Sequence, residues 1–62
     1  MKSREILKRL KLDGCFEVAQ KVSHKQLKHK TKPGRITLSH PKRDIPIGTL
    51  RSIERLAKIK LR

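Results

Sequence analysis

Residues 35–40 read Arg-Ile-Thr-Leu-Ser-His, and this stretch predicts a β-strand. Its apolar residues, Ile36 and Leu38, alternate with polar ones, so they would point to one face of a sheet and the polar side chains to the other. Turn-forming residues bound the stretch on both sides, with Thr31–Gly34 before it and Pro41 after it. The fold is therefore expected to contain a sheet with one apolar face.

Two shorter segments upstream also have strand character, residues 15–19 and residues 26–30, with a connection at residues 20–25 between them. Phe16 and Val18 are expected to face the core from the first segment, and Leu27 from the second. Cys15 is interpreted as a buried strand residue. Because strands this short and this close in sequence can pair through hairpins, an antiparallel meander is expected.

A helix is predicted on each side of these strands from the spacing of apolar residues. Ser3 is expected to cap the first helix and Asp13-Gly14 to end it, while Thr49 is a candidate cap of the second. The apolar sides consist of Ile6, Leu7 and Leu10 in the first helix and of Leu50, Ile53, Leu56, Ala57 and Leu61 in the second. A basic stripe beside the second apolar side consists of Arg51, Arg55, Lys58 and Arg62.

In chain order, these elements predict an α+β fold with the order α-β-β-β-α. A three-stranded antiparallel sheet would have one apolar face, and both helices would cover that face. The chain has the length of one domain, residues 1–62.

The chain carries 18 Lys and Arg against 5 Asp and Glu, a formal net charge of +13. A surface this basic attracts phosphate, because binding phosphates releases their condensed counterions. A membrane surface is a less suitable partner, since interfacial helices use aromatic residues and the one aromatic residue apart from histidine is Phe16. A partner that carries phosphate groups is therefore expected.

A single cysteine excludes an intramolecular disulfide and a zinc site built from cysteine pairs. A core this small is not expected to hold a bulky cofactor. No apolar run is long enough for a membrane helix, and the N-terminus lacks the apolar segment of a signal peptide. A cytoplasmic location is expected, with neither cofactor nor metal.

The positive charge is concentrated in residues 20–43, which contain eight Lys and Arg and no Asp or Glu. A solvated hairpin is one interpretation. Because uncompensated charge this dense opposes folding through self-repulsion, a phosphate-binding surface is the favoured interpretation. The candidate RNA-binding residues are Lys21, Ser23, Lys25, Lys28, Lys30, Lys32, Arg35 and Lys42.

The same stretch contains three histidines, His24, His29 and His40. The spacing of the first two is not that of helical metal ligands and no carboxylate accompanies them, which disfavours a metal site. A serine–histidine–aspartate site is also disfavoured, because Ser23 is adjacent to His24 and nothing places Asp44 behind the ring. A histidine among lysines can instead take the proton of a ribose 2′-hydroxyl, whose oxygen then attacks the adjacent phosphate. His24 is the candidate for this role, although a histidine in a connection is more often an ordinary surface residue.

Several segments match a known family in order and spacing: Lys2–Glu5, Leu12–Gly14, Ser23–Gln26, Lys28-His29, Lys32–Arg35, His40–Lys42 and Ile45–Ile53. Together they resemble the HicA mRNA interferase toxins over almost the whole chain. The resemblance implies a fold like the double-stranded-RNA-binding domain, cleavage of mRNA by one histidine, and a HicB antitoxin that blocks the active site. The catalytic histidine of the family, in a Gly-Ser-His segment, falls on His24.

The chain departs from the family pattern at three positions. The family usually has Gly before Ser-His, where this chain has Val22, and often has Trp after Asp-Gly, where this chain has Cys15. An aromatic residue is also common where this chain has Leu27. If the backbone before Ser-His requires a positive φ, a β-branched residue is poorly suited to it.

Three functions stay open on the sequence alone. The leading one is a metal-independent endoribonuclease, the toxin of a type II toxin–antitoxin system, with His24 as the acid–base residue. The second is a non-catalytic RNA-binding protein of the same fold. The third is a ribosome-associated structural protein, which the net charge of +13 would suit.

Overall fold

A computed structural model describes residues 1–61, so Arg62, the last residue of the predicted basic stripe, lies outside the described residues. The elements are α1 (Ser3–Asp13), β1 (Cys15–Lys21), β2 (His24–His29), β3 (Arg35–Ser39) and α2 (Ile47–Ala57). The strands form one antiparallel sheet in the order β1-β2-β3, and both helices pack on the same face of it. The predicted α-β-β-β-α fold is confirmed.

The core between the helices and the sheet is built almost entirely of aliphatic side chains. Leu27, Ile36 and Leu38 form the contribution of β2 and β3, as the alternation predicts. The buried apolar residues are Ile6, Leu10, Cys15, Leu27, Ile36, Leu38, Ile45, Leu50, Ile53, Ala57 and Leu61. Burial of each large aliphatic side chain stabilises the fold by about 1.5–3 kcal/mol.

The side chains of Phe16 and Val18 in β1 point away from the core, which is opposite to the prediction. Residues that pair across an antiparallel ladder share a face, and Leu27 of the core pairs with Glu17. Phe16 is therefore on the other face and is 45% exposed, and Val18, beside an irregularity of the ladder, is 40% exposed. The physical reason is parity, because the burial of Cys15 places the next residue on the opposite side.

Neither predicted cap residue caps its helix. Lys2 occupies the cap position of α1, and the buried hydroxyl of Ser3 makes tertiary hydrogen bonds instead. Pro46, with an extended backbone, precedes the first residue of α2, so Thr49 already lies inside that helix. Leu56 was predicted to face the core but is exposed, since Ile53 and Ala57 set the inner side of α2.

The turns follow the predicted residue types but one of them is shorter than expected. Gly14 ends α1 with a φ of +112°, and Gly34 has a φ of +99° before β3. The connection predicted at residues 20–25 is reduced to a two-residue turn, Val22-Ser23, because Lys21 and His24 already pair in the ladder. Val22 has a φ of +57°, in the left-handed region.

No helix in residues 1–61 is long and apolar enough to cross a membrane.

Candidate nucleic-acid interface

The sheet has one face that the helices leave uncovered, which we call the open face. Strand pairing places three rows of residues on it, because paired residues share a side of the sheet. The rows are Lys21, His24 and Ser39; Ala19, Gln26 and Thr37; and Phe16, Lys28 and Arg35. All of these side chains except those of Ser39 and Gln26 are exposed. The open face thus combines four basic or imidazole groups with one aromatic ring and contains no carboxylate.

His24 is the first residue of β2 and lies at the end of the open face. It pairs with Lys21 on one side and with Ser39 on the other. The backbone N–H of His40 donates to the carbonyl oxygen of Ser23 at 2.7 Å, which ties the preceding turn to the end of β3. His24 is therefore held at a strand end rather than in a free connection, and a fixed backbone is what precise positioning of a reacting group requires.

Three of the predicted RNA-binding cations, Lys21, Lys28 and Arg35, share the open face with His24. The guanidinium of Arg35 donates to Gln26 Oε1 at 2.6 Å, so this side chain is held against the sheet. Phe16 lies beside Lys28 in the same row. An exposed aromatic ring next to cations can stack on a base while the cations contact phosphates.

Lys25 and Lys32 are not part of this surface, although the charge pattern placed them in the same set. Lys25 Nζ lies 2.6 Å from Glu17 Oε1 and 2.9 Å from Gln20 Oε1, on the helix side of the sheet. Lys32 Nζ lies 2.7 Å from an oxygen of Asp13 and 2.8 Å from the carbonyl oxygen of Ala57. Both ammonium groups neutralise a carboxylate and connect elements of the fold.

The other three predicted residues lie around the edges of the sheet. Ser23 is half-buried in the turn before His24, and Lys30 is exposed just beyond β2. Lys42 is exposed after β3, beside His40 and the N-terminal end of α1. Of the eight RNA-binding residues predicted from the sequence, three therefore lie on the open face, two form ion pairs within the fold, and three lie around the edges of the sheet.

The carboxylates that accept these lysines are ionised far below neutral pH. Hydrogen bonds from Lys25 and then from Lys11 lower the pKa of Glu17 to about 2. The hydrogen bond from Lys32 is the main cause that lowers the pKa of Asp13 below its usual value. Burial raises the pKa of the Cys15 thiol, which keeps it protonated and poorly nucleophilic.

His29 has both ring nitrogens occupied by the fold. Its Nδ1 accepts the backbone N–H groups of Thr31 at 3.0 Å and Lys32 at 3.1 Å. Its Nε2 therefore carries the proton and donates to the carbonyl oxygen of Asp13 at 2.6 Å. The ring organises the turn before β3, and neither nitrogen is available to a substrate.

The three histidines thus have different surroundings. His40 Nδ1 lies 2.8 Å from the hydroxyl of Ser3, whereas the ring of His24 has no hydrogen bond or ion pair with any residue in the described part of the chain. No group of three His, Cys, Asp or Glu in residues 1–61 comes together to hold a metal ion. His24 is the histidine whose two nitrogens both remain available for proton transfer.

Sequence reasoning missed Phe16 as a member of the open face. The signal was present, because Cys15 was predicted to be buried and strand parity then sends the next side chain outward. Gln26 was missed because its role, holding the guanidinium of Arg35, depends on strand register.

Comparison with known proteins connects this geometry to a family. The family model described as the HicA toxin of bacterial toxin-antitoxin matches residues 3–59. A chain of a solved structure titled "HicA3 and HicB3 toxin-antitoxin complex" is similar over 100% of both chains, with a TM-score of 0.77 and 35% sequence identity. No match was found among curated proteins.

The fold, the basic open face and these similarities define the class as a toxin of bacterial toxin–antitoxin systems. Within that class, the chain belongs to the HicA toxin family, since the family model covers nearly all of it. The resemblance identified from the sequence is confirmed.

Proposed function

We propose that this chain is a metal-independent endoribonuclease that cleaves mRNA, with His24 as its acid–base residue. The observation that carries the proposal is the placement of His24. It is exposed and fixed at a strand end, it pairs with Lys21 on a face without carboxylates, and its ring has no hydrogen bond or ion pair with the described residues. Membership of the HicA toxin family supports the same function.

The reaction is an internal attack within the RNA backbone. His24 takes the proton of a ribose 2′-hydroxyl, and that oxygen forms a bond to the adjacent phosphorus. The bond from phosphorus to the 5′-oxygen breaks, and this oxygen takes up a proton, from the protonated imidazole or from water. The products are a 2′,3′-cyclic phosphate and a free 5′-hydroxyl, and the imidazole returns to its starting state.

Lys21, which pairs with His24 in the ladder, stabilises the negative charge that develops on the phosphoryl oxygens. Lys28 and Arg35 lie four residues further along the same face, about 13 Å from His24, and contact neighbouring phosphates of the strand. Fixed positive groups aimed at developing charge lower the barrier more than mobile ones, because no reorganisation is needed during the reaction. Their second role is affinity, since each phosphate they neutralise releases counterions.

A HicB-type antitoxin is the proposed protein partner, because the similar solved structure is titled as a HicA3 and HicB3 complex. We place the antitoxin on the open face. An acidic partner there would neutralise Lys21, Lys28 and Arg35 and cover His24, which would block the access of RNA.

The proposal is tested by cleavage of a labelled single-stranded RNA in the presence of a chelator. His24→Ala is expected to lower the cleavage rate by about 10²–10⁴-fold, the usual contribution of general acid–base catalysis. RNA affinity should stay nearly unchanged, because the cations supply the counterion term. Thermal stability should stay unchanged as well, since the ring is exposed and has no hydrogen bond or ion pair with the described residues.

His29→Gln is the matched control. It is expected to lower the thermal midpoint, because the ring holds the turn before β3, and to leave the cleavage rate per folded molecule near that of the wild type. Wild-type cleavage by His24→Ala would refute the acid–base assignment. RNA binding without cleavage by the wild type would establish the non-catalytic alternative instead.

A further inference from the structure

A second basic surface lies on the helix side of the sheet, outside the open face. It is a groove of about 450 Å³ between the start of α1 and the segment after β3. Seven residues line it, and four of them are cationic: Lys2, Ser3, Arg4, His40, Pro41, Lys42 and Arg43. We call it the His40 groove.

Within residues 1–61, the cations of the His40 groove form no ion pair with a carboxylate. The ion pairs in residues 1–61 use Asp13 and Glu17, and both carboxylates bind groups elsewhere in the fold. Four positive side chains around one concavity repel one another, so the free protein would gain by placing an anion between them. Lys32, whose ammonium is neutralised within the fold, shows the contrasting arrangement.

A hydrogen-bond chain fixes the floor of the groove. Ser3 is 1% exposed, and its hydroxyl oxygen accepts the backbone N–H of Lys42 at 2.8 Å. Because His40 Nδ1, at 2.8 Å, is the acceptor within its reach among the described residues, the hydroxyl donates to it. In the tautomer that accepts this hydrogen bond, the ring proton lies on Nε2, which is then a donor. The lining thus offers donors and positive charge, which suits the acceptor-only oxygens of a phosphodiester.

The groove and His24 lie at the same end of the sheet. Ser39 pairs with His24 on the open face, and the next residue, His40, lines the groove on the opposite face. The backbone N–H of His40 also bonds to Ser23, directly before His24. An RNA strand that leaves His24 and bends around this end of the sheet therefore meets the groove next.

We propose that the His40 groove is a phosphate subsite that binds the RNA backbone beside the phosphate at His24. The inference rests on the proposed function, because it assigns the groove to the same RNA strand. Arg4 and Arg43 can each contact a phosphate through two N–H groups, which a lysine cannot do. The subsite holds the strand on both faces of the sheet and so fixes the scissile phosphate at the end where His24 lies.

The test measures RNA binding by the full chain carrying His24→Ala, so that the RNA stays intact. Fluorescence anisotropy of a labelled single-stranded RNA is followed over a series of KCl concentrations. The groove variant is Arg4→Gln/Arg43→Gln, and the matched control is Arg51→Gln/Arg55→Gln, which removes two exposed arginines from α2. Circular dichroism melts confirm that both variants fold.

Each single-strand phosphate contact adds about 0.7 to the slope of log K against log salt. The groove variant is expected to lose about 1.4 from this slope, and about tenfold in affinity at about 0.15 M salt. The control variant is expected to keep the slope. An unchanged slope in the groove variant, or an equal loss in the control, would overturn the proposal.

A second measurement separates backbone phosphate from free phosphate. Inorganic phosphate is titrated while the ring protons of His40 are followed by NMR, and the RNA is titrated in the same way. A shift with RNA that the groove variant abolishes supports the subsite. A shift with inorganic phosphate but not with RNA, or a shift with RNA that the groove variant retains, would overturn it. Both assays use the His24→Ala chain and do not depend on cleavage. Absence of cleavage by the wild type would therefore refute the proposed endoribonuclease activity without affecting the test of the phosphate subsite.

Discussion

Replacing Val22 by glycine is expected to stabilise this protein, which is unusual for a change that removes a side chain. Val22 is the first residue of the two-residue turn between β1 and β2, and its φ is +57°. A β-branched residue is a poor choice for this region, because its side chain crowds the backbone. Glycine adopts the same backbone conformation without that cost.

The magnitude follows from two opposing contributions. Removing the strained left-handed conformation of a β-branched residue raises the free energy of unfolding by about 1–2 kcal/mol. The greater conformational freedom of glycine in the unfolded chain lowers the free energy of unfolding by about 0.5–1 kcal/mol. Val22 is 87% exposed, so its side chain contributes little packing that could be lost. The net gain is about 0.5–1 kcal/mol, which for a domain of this size raises the thermal midpoint by about 4–8 °C.

Thermal and urea unfolding of Val22→Gly against the wild type measure the effect. Val18→Gly is the matched control, because Val18 is also an exposed valine of the same hairpin but has no positive φ. There the same change should destabilise by about 0.5–1 kcal/mol, since glycine is unfavourable within a strand. A loss of stability in Val22→Gly equal to that of the control would refute the strain argument.

Three further predictions concern other parts of the molecule. Gly14→Ala should lower the free energy of unfolding in urea by about 2 kcal/mol, because Gly14 has a φ of +112° and a Cβ there would lie 2.9 Å from His29 Nε2. Gly48→Ala is the control and should not destabilise the protein, since a Cβ at Gly48 meets no atom within 4 Å. The free energy of unfolding should fall as the pH is lowered from 4.5 to about 2, because the pKa of Glu17 is lowered in the folded state and protonation removes the contribution of its ion pairs. Glu17→Gln should remove this part of the pH profile. Lys28→Glu should slow association with the antitoxin and weaken its salt dependence in stopped-flow measurements, and an unaltered rate would place the partner elsewhere.

The order of elements could be predicted from the sequence because it depends on local signals. Apolar spacing located both helices, and alternation located β3 with Ile36 and Leu38 inward. Asp13-Gly14 ended α1 as predicted, since glycine accepts the positive φ that this end requires. Position and residue type also singled out His24, but the resemblance to a family was needed to prefer it over an ordinary surface histidine.

The roles of individual polar side chains could not be predicted, because they depend on contacts between residues distant in sequence. Serine is a residue type that often caps helices, yet the fold brings Ser3 beside His40 and Lys42, and its hydroxyl hydrogen-bonds to both of them. Lys25 and Lys32 are indistinguishable from their basic neighbours until the fold places a carboxylate beside each of them.

The sequence by itself determined the basic character of the protein, the order of its helices and strands, and the core residues of β2 and β3. Only the tertiary structure decided which face each cation occupies. Lys25 was predicted to lie in a connection, but β2 already begins at His24, so alternation sends Lys25 to the helix side and Lys28, three residues later, to the open face. The physical reason is that a strand alternates its side chains with a period of two, so a single-residue irregularity near Val18, or a turn shortened to Val22-Ser23, changes which residues share a surface.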